Sequence, residues 1–531
     1  MHNATPWRTV EISFETSLTV DNPYLDITAE VEFTGPNGEV LVRAAFWDGD
    51  TTWRVRFAPT SVGTWTWVVR SSDPLDSGLN DRSGLIECAP ADADAAEIYA
   101  RGFLRSSDDG RHLIYADGTP FFWLGDTHWR FAWESWDDSN KPGWASQFRG
   151  TVDLRAEQGF SVYQSNMLSF DGGDWSLTGC WVPGAGYDRI NPEYFRETLD
   201  KRMDYIADSG LVNALGLAWA GSVDSDAAGF AQFARYIVAR YGSLPIVWTL
   251  GGEVAGYDPT LRDSRIAGWR DVAIAIRASD AYNHPRTAHL TSERPMPAYF
   301  QGEDWLTLTL SQAGHGDLPI TSAFYRDHLA AYPGVPLVEG ESMYEGLLSA
   351  EPNGRRPVTD TMVRQVAYRA FQSGCCGYTY GAQGGWNNGW NNTDGASSWG
   401  SLPWFDGVEL SGAVQLGFLR QFYTALDWTT LSPNNTVFSS TNFFNASLFL
   451  PDVLTNDQRS TVVLYLPETF QIGDGDNSLR DLPPAEFRFD WFDPRTGTWS
   501  PAAPNATSAS GFLALPQKPD PADWALVVRS V

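Results

Sequence analysis

Two glutamates at matching places in the chain are the residues best suited to do chemistry. Glu253 ends the run Trp248-Thr249-Leu250-Gly251-Gly252-Glu253, and Glu341 ends Leu337-Val338-Glu339-Gly340-Glu341. Each follows a short apolar stretch and stands directly after a glycine. A pair of carboxyl groups can divide the work of opening a glycosidic acetal. One, protonated, donates to the leaving oxygen; the other, ionised, attacks the anomeric carbon or activates a water. A single such glutamate is more often a solvated loop residue or an ion-pair partner. Two in the same context favour catalysis, provided that the fold brings them together.

The surrounding sequence has the rhythm needed for that. From about residue 95, short apolar runs alternate with longer helical patterns, the signature of βα units around a parallel sheet. Strands are predicted at 121–125, 161–165, 212–218, 246–250, 287–290, 306–310, 336–338 and 378–380. Between the third and fourth, Phe230, Phe233, Ala234, Ile237, Val238 and Tyr241 recur at helical spacing and make one apolar face. Similar faces occur at 194–206, 266–276 and 362–371. Eight strand–helix pairs predict an α/β fold, a (β/α)8 TIM barrel with enlarged loops. Such a barrel carries its reactive groups at the C-terminal strand ends.

The other polar and aromatic residues near those ends are the candidate substrate contacts. They are Asp126 and His128 after the first strand, Gln164 and Asn166 after the second, and Trp219 after the third. His289 belongs to the fifth, Gln312 and His315 to the sixth, Tyr344 to the seventh and Tyr380 to the eighth. Polar groups that read hydroxyls, mixed with rings that stack on sugar faces, suit a carbohydrate. Asp126 is read as hydroxyl-binding, and Glu339 as a supporting group that orients Glu341. Glu345, in the loop beyond, binds a hydroxyl or pairs with an arginine. His315 either contacts sugar or is a satisfied structural histidine. Trp386, in Gly384-Gly385-Trp386-Asn387-Asn388-Gly389-Trp390, is either a subsite platform or an anchor for its loop.

Both flanks read as all-β. Val10, Ile12 and Phe14 alternate with polar residues, as do Trp53, Val55 and Phe57, and Trp65, Trp67 and Val69. Alternation returns after about residue 430, at 461–465, 487–492 and 524–528. The expected domains are an N-terminal antiparallel β-sandwich (1–94), the barrel (95–430) and a C-terminal β-sandwich (431–531). Neither sandwich clusters acids, histidines or cysteines at strand ends, so both are expected to pack or bind and to contribute no catalytic group.

Composition narrows the partners. The chain has 531 residues, with 65 acidic against 37 basic side chains, a formal net charge of −28. That surface repels phosphate backbones and anionic lipid, so neither nucleic acid nor membrane is an expected partner. Oligomeric state is not readable from it. Aromatic residues make up 14% of the chain, enough for filled cores and a sugar-stacking site together. Five Asn-x-Ser/Thr sequons, at Asn3, Asn391, Asn434, Asn445 and Asn505, together with the acidity suggest a secreted, extracellular glycoprotein. Met1-His2-Asn3 carries no apolar leader and reads as a start placed on a mature chain. Cys88, Cys180, Cys375 and Cys376 lack zinc-ligand spacing, so no metal or cofactor is expected. They are either buried free thiols or include one bridge between Cys180 and the Cys375-Cys376 pair.

Four stretches together carry a family resemblance. They are Phe122-Trp123-Leu124-Gly125-Asp126-Thr127, Trp248-Thr249-Leu250-Gly251-Gly252-Glu253, Gly340-Glu341-Ser342-Met343-Tyr344-Glu345-Gly346 and Tyr378-Thr379-Tyr380-Gly381-Ala382. They resemble the apiosidase-like branch of the clan A (β/α)8 glycoside hydrolases. The N-terminal segment is similar to the β-sandwich that often precedes such barrels. Trp491-Phe492-Asp493-Pro494-Arg495-Thr496-Gly497 is similar to a collagen-binding-type C-terminal sandwich. The resemblance implies a retaining glycosidase with Glu341 as nucleophile and Glu253 as acid/base, their carboxyl groups about 5–5.5 Å apart. The implied substrate is a plant or microbial polysaccharide or glycoside, furanosides such as apiosides and arabinosides included. The chain departs from the family in having Gly-Gly-Glu253 for Gly-Gly-Asp, and Glu341-Ser342-Met343-Tyr344-Glu345 for Glu-Pro-x-Tyr-Glu. The alternative is a non-catalytic carbohydrate- or matrix-binding protein on a barrel scaffold.

Overall fold

A computed structural model describes the chain except residues 168, 172–173, 177, 294–296, 317–319, 350–354, 392–398, 441–450, 469, 471–476 and 509–510. Seven parallel strands form one curled sheet in the order Ile246–Trp248, Val212–Gly216, Val162–Asn166, Trp123–His128, Gly377–Tyr380, Leu337–Glu341, Thr309–Gln312. The eighth member is reduced to two parallel bridges, Trp248 to Arg286 and His289 to Leu310, which close the ring between its two edges. Pro285 has no N–H to give to a ladder, but its carbonyl accepts from the Trp248 N–H at 2.9 Å beside the Arg286 bridge. The first strand also starts later than the apolar run suggests. Pro120–Phe121 pairs instead with Leu113–Ile114 in a small antiparallel sheet below the barrel.

Barrel strands bury both faces, and each face has its own cluster. Trp123, Val162, Ala214, Val247, Leu310 and Val338 fill the interior. Phe122, Leu124, Tyr163, Leu215 and Trp248 pack outward against the helices. The helix Ala227–Tyr241 lies outside the third and fourth strands, and its predicted face is buried throughout.

The first sandwich sets a five-stranded sheet, whose strands run from His2–Ala4 to Ser83–Cys88, over a three-stranded one built on Val10–Glu15 and Thr52–Phe57. Phe33 and Phe57 stack in its core at 3.8 Å between ring centres. This sandwich grips the barrel with arginines. Arg43, fully buried, donates from Nη2 to the carbonyls of Val238 (2.9 Å) and Ala239 (3.0 Å). Arg56 Nη1 donates to the carbonyl of Arg240 (3.2 Å) and its Nη2 pairs with Asp200 (2.8 Å). Those carbonyls lie in the last turn of Ala227–Tyr241, where a helix has no donors of its own. The second sandwich, a six-stranded sheet facing a three-stranded one, adds Asp523, which receives two N–H bonds from Arg364 of the barrel helix Asp360–Gln372.

All four cysteines are buried and unbridged. Asn3 and Asn391 are exposed, and Asn445 lies outside the described residues. Among the described residues, no helix is long and apolar enough to cross a membrane, and no group of three or more His, Cys, Asp or Glu could hold a metal ion.

Candidate active site

Glu253 and Glu341 line one cavity of about 450 Å³ at the C-terminal mouth of the barrel, walled by Trp129, Trp219, Tyr344, Trp386 and Trp399. Beyond the fourth strand, Gly251–Gly252 pairs in parallel with Ala218–Trp219. The Trp219 ring packs so closely on Gly252 that a Cβ there would sit 2.5 Å from it. Leu250 and Glu253 adopt φ of +53° and +47°, left-handed backbone that costs a side-chain-bearing residue about 1–2 kcal/mol. The turn is held by Leu217 N donating to Leu250 O and Val254 N to His289 O.

Two donors converge on one oxygen of Glu253. Tyr257 Oη donates to Oε1 at 2.6 Å and Gln312 Nε2 to the same atom at 3.2 Å. When Glu253 is protonated, the proton therefore belongs on Oε2. Burial, followed by the negative charge of Glu341, pushes the Glu253 carboxyl above the usual range; the two donors offset only part of this.

Glu341 is in the opposite condition. Burial by itself would raise it, but the imidazoles of His289 and His315 outweigh burial and hold it well below the usual carboxylate range. His315 Nε2 lies 3.0 Å from Glu341 Oε1, and its Nδ1 lies 2.8 Å from the carbonyl of Ser342. Both partners only accept, so both ring nitrogens must carry protons. His315 is an imidazolium, and its proton affinity is raised against the effect of burial by Glu341. His289 Nδ1 accepts from the Glu253 N–H (3.4 Å), which leaves the proton on Nε2, 2.9 Å from Glu341 Oε2. That last contact is close enough for His289 to favour the ionised form of Glu341. One imidazole thus touches both glutamates. Glu339, fully buried and pushed up to about 8 by burial, accepts from the backbone N–H of Glu341 (3.1 Å) and Ala313 (3.2 Å) and from Ser311 Oγ (2.8 Å). It pins together the ends of the sixth and seventh strands, at the bulge between Ser311 and Gln312.

Of the candidate contacts, Trp219, Gln312, His315, Tyr344 and Trp386 line the cavity, and His289 lies directly behind Glu341. The rest are placed elsewhere. Asp126 and His128 are turned toward the helix layer. His128 is held between Asp126 Oδ2 (3.0 Å) and Glu134 Oε1 (2.7 Å), and Arg155 of the helix Gln147–Glu157 reaches Asp126 at 2.5 Å. The reason is strand alternation: Trp123 and Thr127 occupy the inner face, so Asp126 and His128 take the outer one. Tyr380 is turned outward in the same way and donates to Glu345 (2.7 Å), which also accepts from the Gly412 N–H. Gln164 points inward but sits below the mouth, donating to Gly340 O (2.9 Å) and accepting from Thr379 Oγ1. Asn166 donates to Ala218 O and does not line the cavity.

Trp129, Tyr257, Ser292, Leu347 and Trp399 line the cavity without having been singled out in the sequence. Tyr257, four residues after Glu253, is the one that local spacing could have suggested. A second cavity, about 270 Å³, opens among Arg111, His112, Cys375, Cys376 and Trp428, and among the described residues Asp109 is its one carboxylate.

An eight-membered barrel whose aromatic mouth holds two glutamates in opposed protonation environments defines a glycoside hydrolase-like protein. More particularly, the chain belongs to the apiosidase-like family, whose catalytic-domain model matches residues 107–430. Residues 3–72 match a domain of unknown function, DUF5060. Among curated proteins none matches. A candidate glycoside hydrolase of Bacteroides vulgatus shares the fold over 100% of both chains, with a TM-score of 0.73 and 18% identity. A family 5 glycoside hydrolase of the same organism covers 81% of this chain and 93% of its own, with a TM-score of 0.63 and 20% identity.

Proposed function

We propose that the protein hydrolyses glycosides with retention of configuration, Glu341 acting as nucleophile and Glu253 as acid/base. The opposed protonation environment of the two carboxyls carries this reading. Glu341 beside cationic His315 stays ionised, while Glu253 is favoured to hold a proton. In the first step Glu253 Oε2–H protonates the glycosidic oxygen as a Glu341 oxygen bonds to the anomeric carbon, and the leaving group departs as an alcohol. In the second, Glu253 takes a proton from water, the hydroxyl adds to the anomeric carbon, and the glycosyl–Glu341 ester bond breaks.

Among the described residues no lysine or arginine lines the cavity, and the charge of His315 is already paired with Glu341, so nothing is left to grip a uronate and a neutral sugar fits best. Furanosides such as apiosides and arabinosides, from plant or microbial glycans, fit the family. The acidity and the exposed sequons at Asn3 and Asn391 favour action outside the cell.

The test is a pair of variants assayed on 4-nitrophenyl and methyl furanosides. Glu341→Gln should abolish turnover. Glu253→Ala should spare the nitrophenyl substrate and be rescued by azide with formation of a glycosyl azide. An inverted product anomer by proton NMR would overturn the mechanism. A protein that binds these glycosides yet never cleaves them would favour a binding role.

A further inference from the structure

We propose that Tyr257 is the floor of the leaving-group subsite, and that it takes an alcohol with a flat apolar face, an aryl aglycone or the face of a second sugar ring. The proposal rests on the assignment of Glu253 as acid/base. Of the large apolar and aromatic side chains left most exposed among the described residues, only Tyr257, at 61%, also lines the cavity. The other aromatic walls of that cavity are buried or half-buried.

The ring is exposed but fixed. Its hydroxyl donates to Glu253 Oε1 at 2.6 Å, four residues back along a tight turn in which Gly256 N donates to Glu253 O at 2.7 Å. That bond occupies the oxygen that does not hold the acid proton, and so directs Oε2–H toward the oxygen to be protonated. The group bonded to that oxygen must leave past Glu253, beside the ring tethered to it. An aromatic face held in water at this point is a stacking surface whose ordering cost is already met. Tyr257 therefore has two separable duties: its ring receives the leaving group, and its hydroxyl stabilises ionised Glu253.

Three variants separate them, assayed on methyl, 4-nitrophenyl and disaccharide glycosides of arabinofuranose and apiofuranose. Tyr257→Ala should raise KM roughly 2- to 10-fold on the nitrophenyl or disaccharide substrates relative to the methyl glycoside, and Tyr257→Trp should restore it. The arm that responds, aryl or sugar, identifies the leaving group. Tyr257→Phe should keep the KM ratio and move the alkaline limb of kcat/KM to higher pH on the methyl glycoside, whose departure needs the acid. Equal losses on all three substrates in Tyr257→Ala, or an unmoved limb in Tyr257→Phe, would overturn the proposal. Failure of azide to rescue Glu253→Ala would instead remove the acid/base assignment and leave the KM ratio to judge the ring alone. If no member of the panel is bound or cleaved, both readings fail.

Discussion

Replacing Arg43 by alanine should loosen the helix that leads into the strand carrying Glu253. Arg43 comes from the first sandwich, yet its Nη2 caps Val238 and Ala239 in the last turn of the barrel helix Ala227–Tyr241. Val238 O keeps a second donor, the Gly242 N–H, whereas Ala239 O depends on Arg43. A hydrogen bond from a charged donor contributes about 1.5–3 kcal/mol, and a cation at a helix C-terminus adds up to about 2 kcal/mol where partly buried. Against this, the variant no longer desolvates a guanidinium, which recovers several kcal/mol. The net loss should be about 2–4 kcal/mol. Arg43→Met, which keeps most of the stem, distinguishes the lost cap from a packing void. For a cooperative unit this large, each kcal/mol moves Tm by only about 1 °C, so hydrogen exchange is the better assay. At 1.36 kcal/mol per tenfold, amides in peptides covering 236–250 should exchange roughly 30- to 900-fold faster in both variants. Exchange within threefold of the wild type in both would refute the argument. The sandwich would then be an appendage rather than part of the barrel.

Two further outcomes concern histidines. His315→Gln keeps a donor to Glu341 but removes the positive charge, so the Glu341 carboxyl should rise toward the ordinary range and the acid limb of kcat/KM should move to higher pH; an unchanged limb would remove His315 from the tuning of Glu341. Burial opposes charge on His128, but Glu134 and Asp126 raise it to about 9, and Arg155 and Tyr163 close the same cluster. Because its folded value lies above the unfolded 6.5, this stabilisation is complete below pH 6.5 and is lost as pH rises through 9. The loss is about 3 kcal/mol at 1.36 kcal/mol per unit, and a urea-denaturation series in which His128→Asn shows the same slope as wild type would contradict it.

The barrel, the two flanking β regions and the strand-end position of the two glutamates were legible in the sequence because each is written in local pattern. Strand-length apolar runs such as 246–250 and the helical face from Phe230 to Tyr241 encode burial within a few residues, whatever lies elsewhere in the chain. Glu253 and Glu341 could be picked because each follows such a run directly. Which way a residue faces at a strand end was not written there. A parallel barrel strand is apolar on both sides, so Phe122 and Trp123 look alike, although one packs outward and the other fills the interior. That phase, set by how neighbouring strands tilt and close, sends Asp126, His128 and Tyr380 to the helix layer. Only tertiary structure decided the protonation environment of the glutamates, since it depends on His289, His315 and Gln312 arriving from other strands. The same is true of Arg43, which meets its helix carbonyl 195 positions along the chain. Sequence alone determined which segments are buried and which residues could react; closure of the ring determined which of them meet, because contacts between distant segments leave no period in either one.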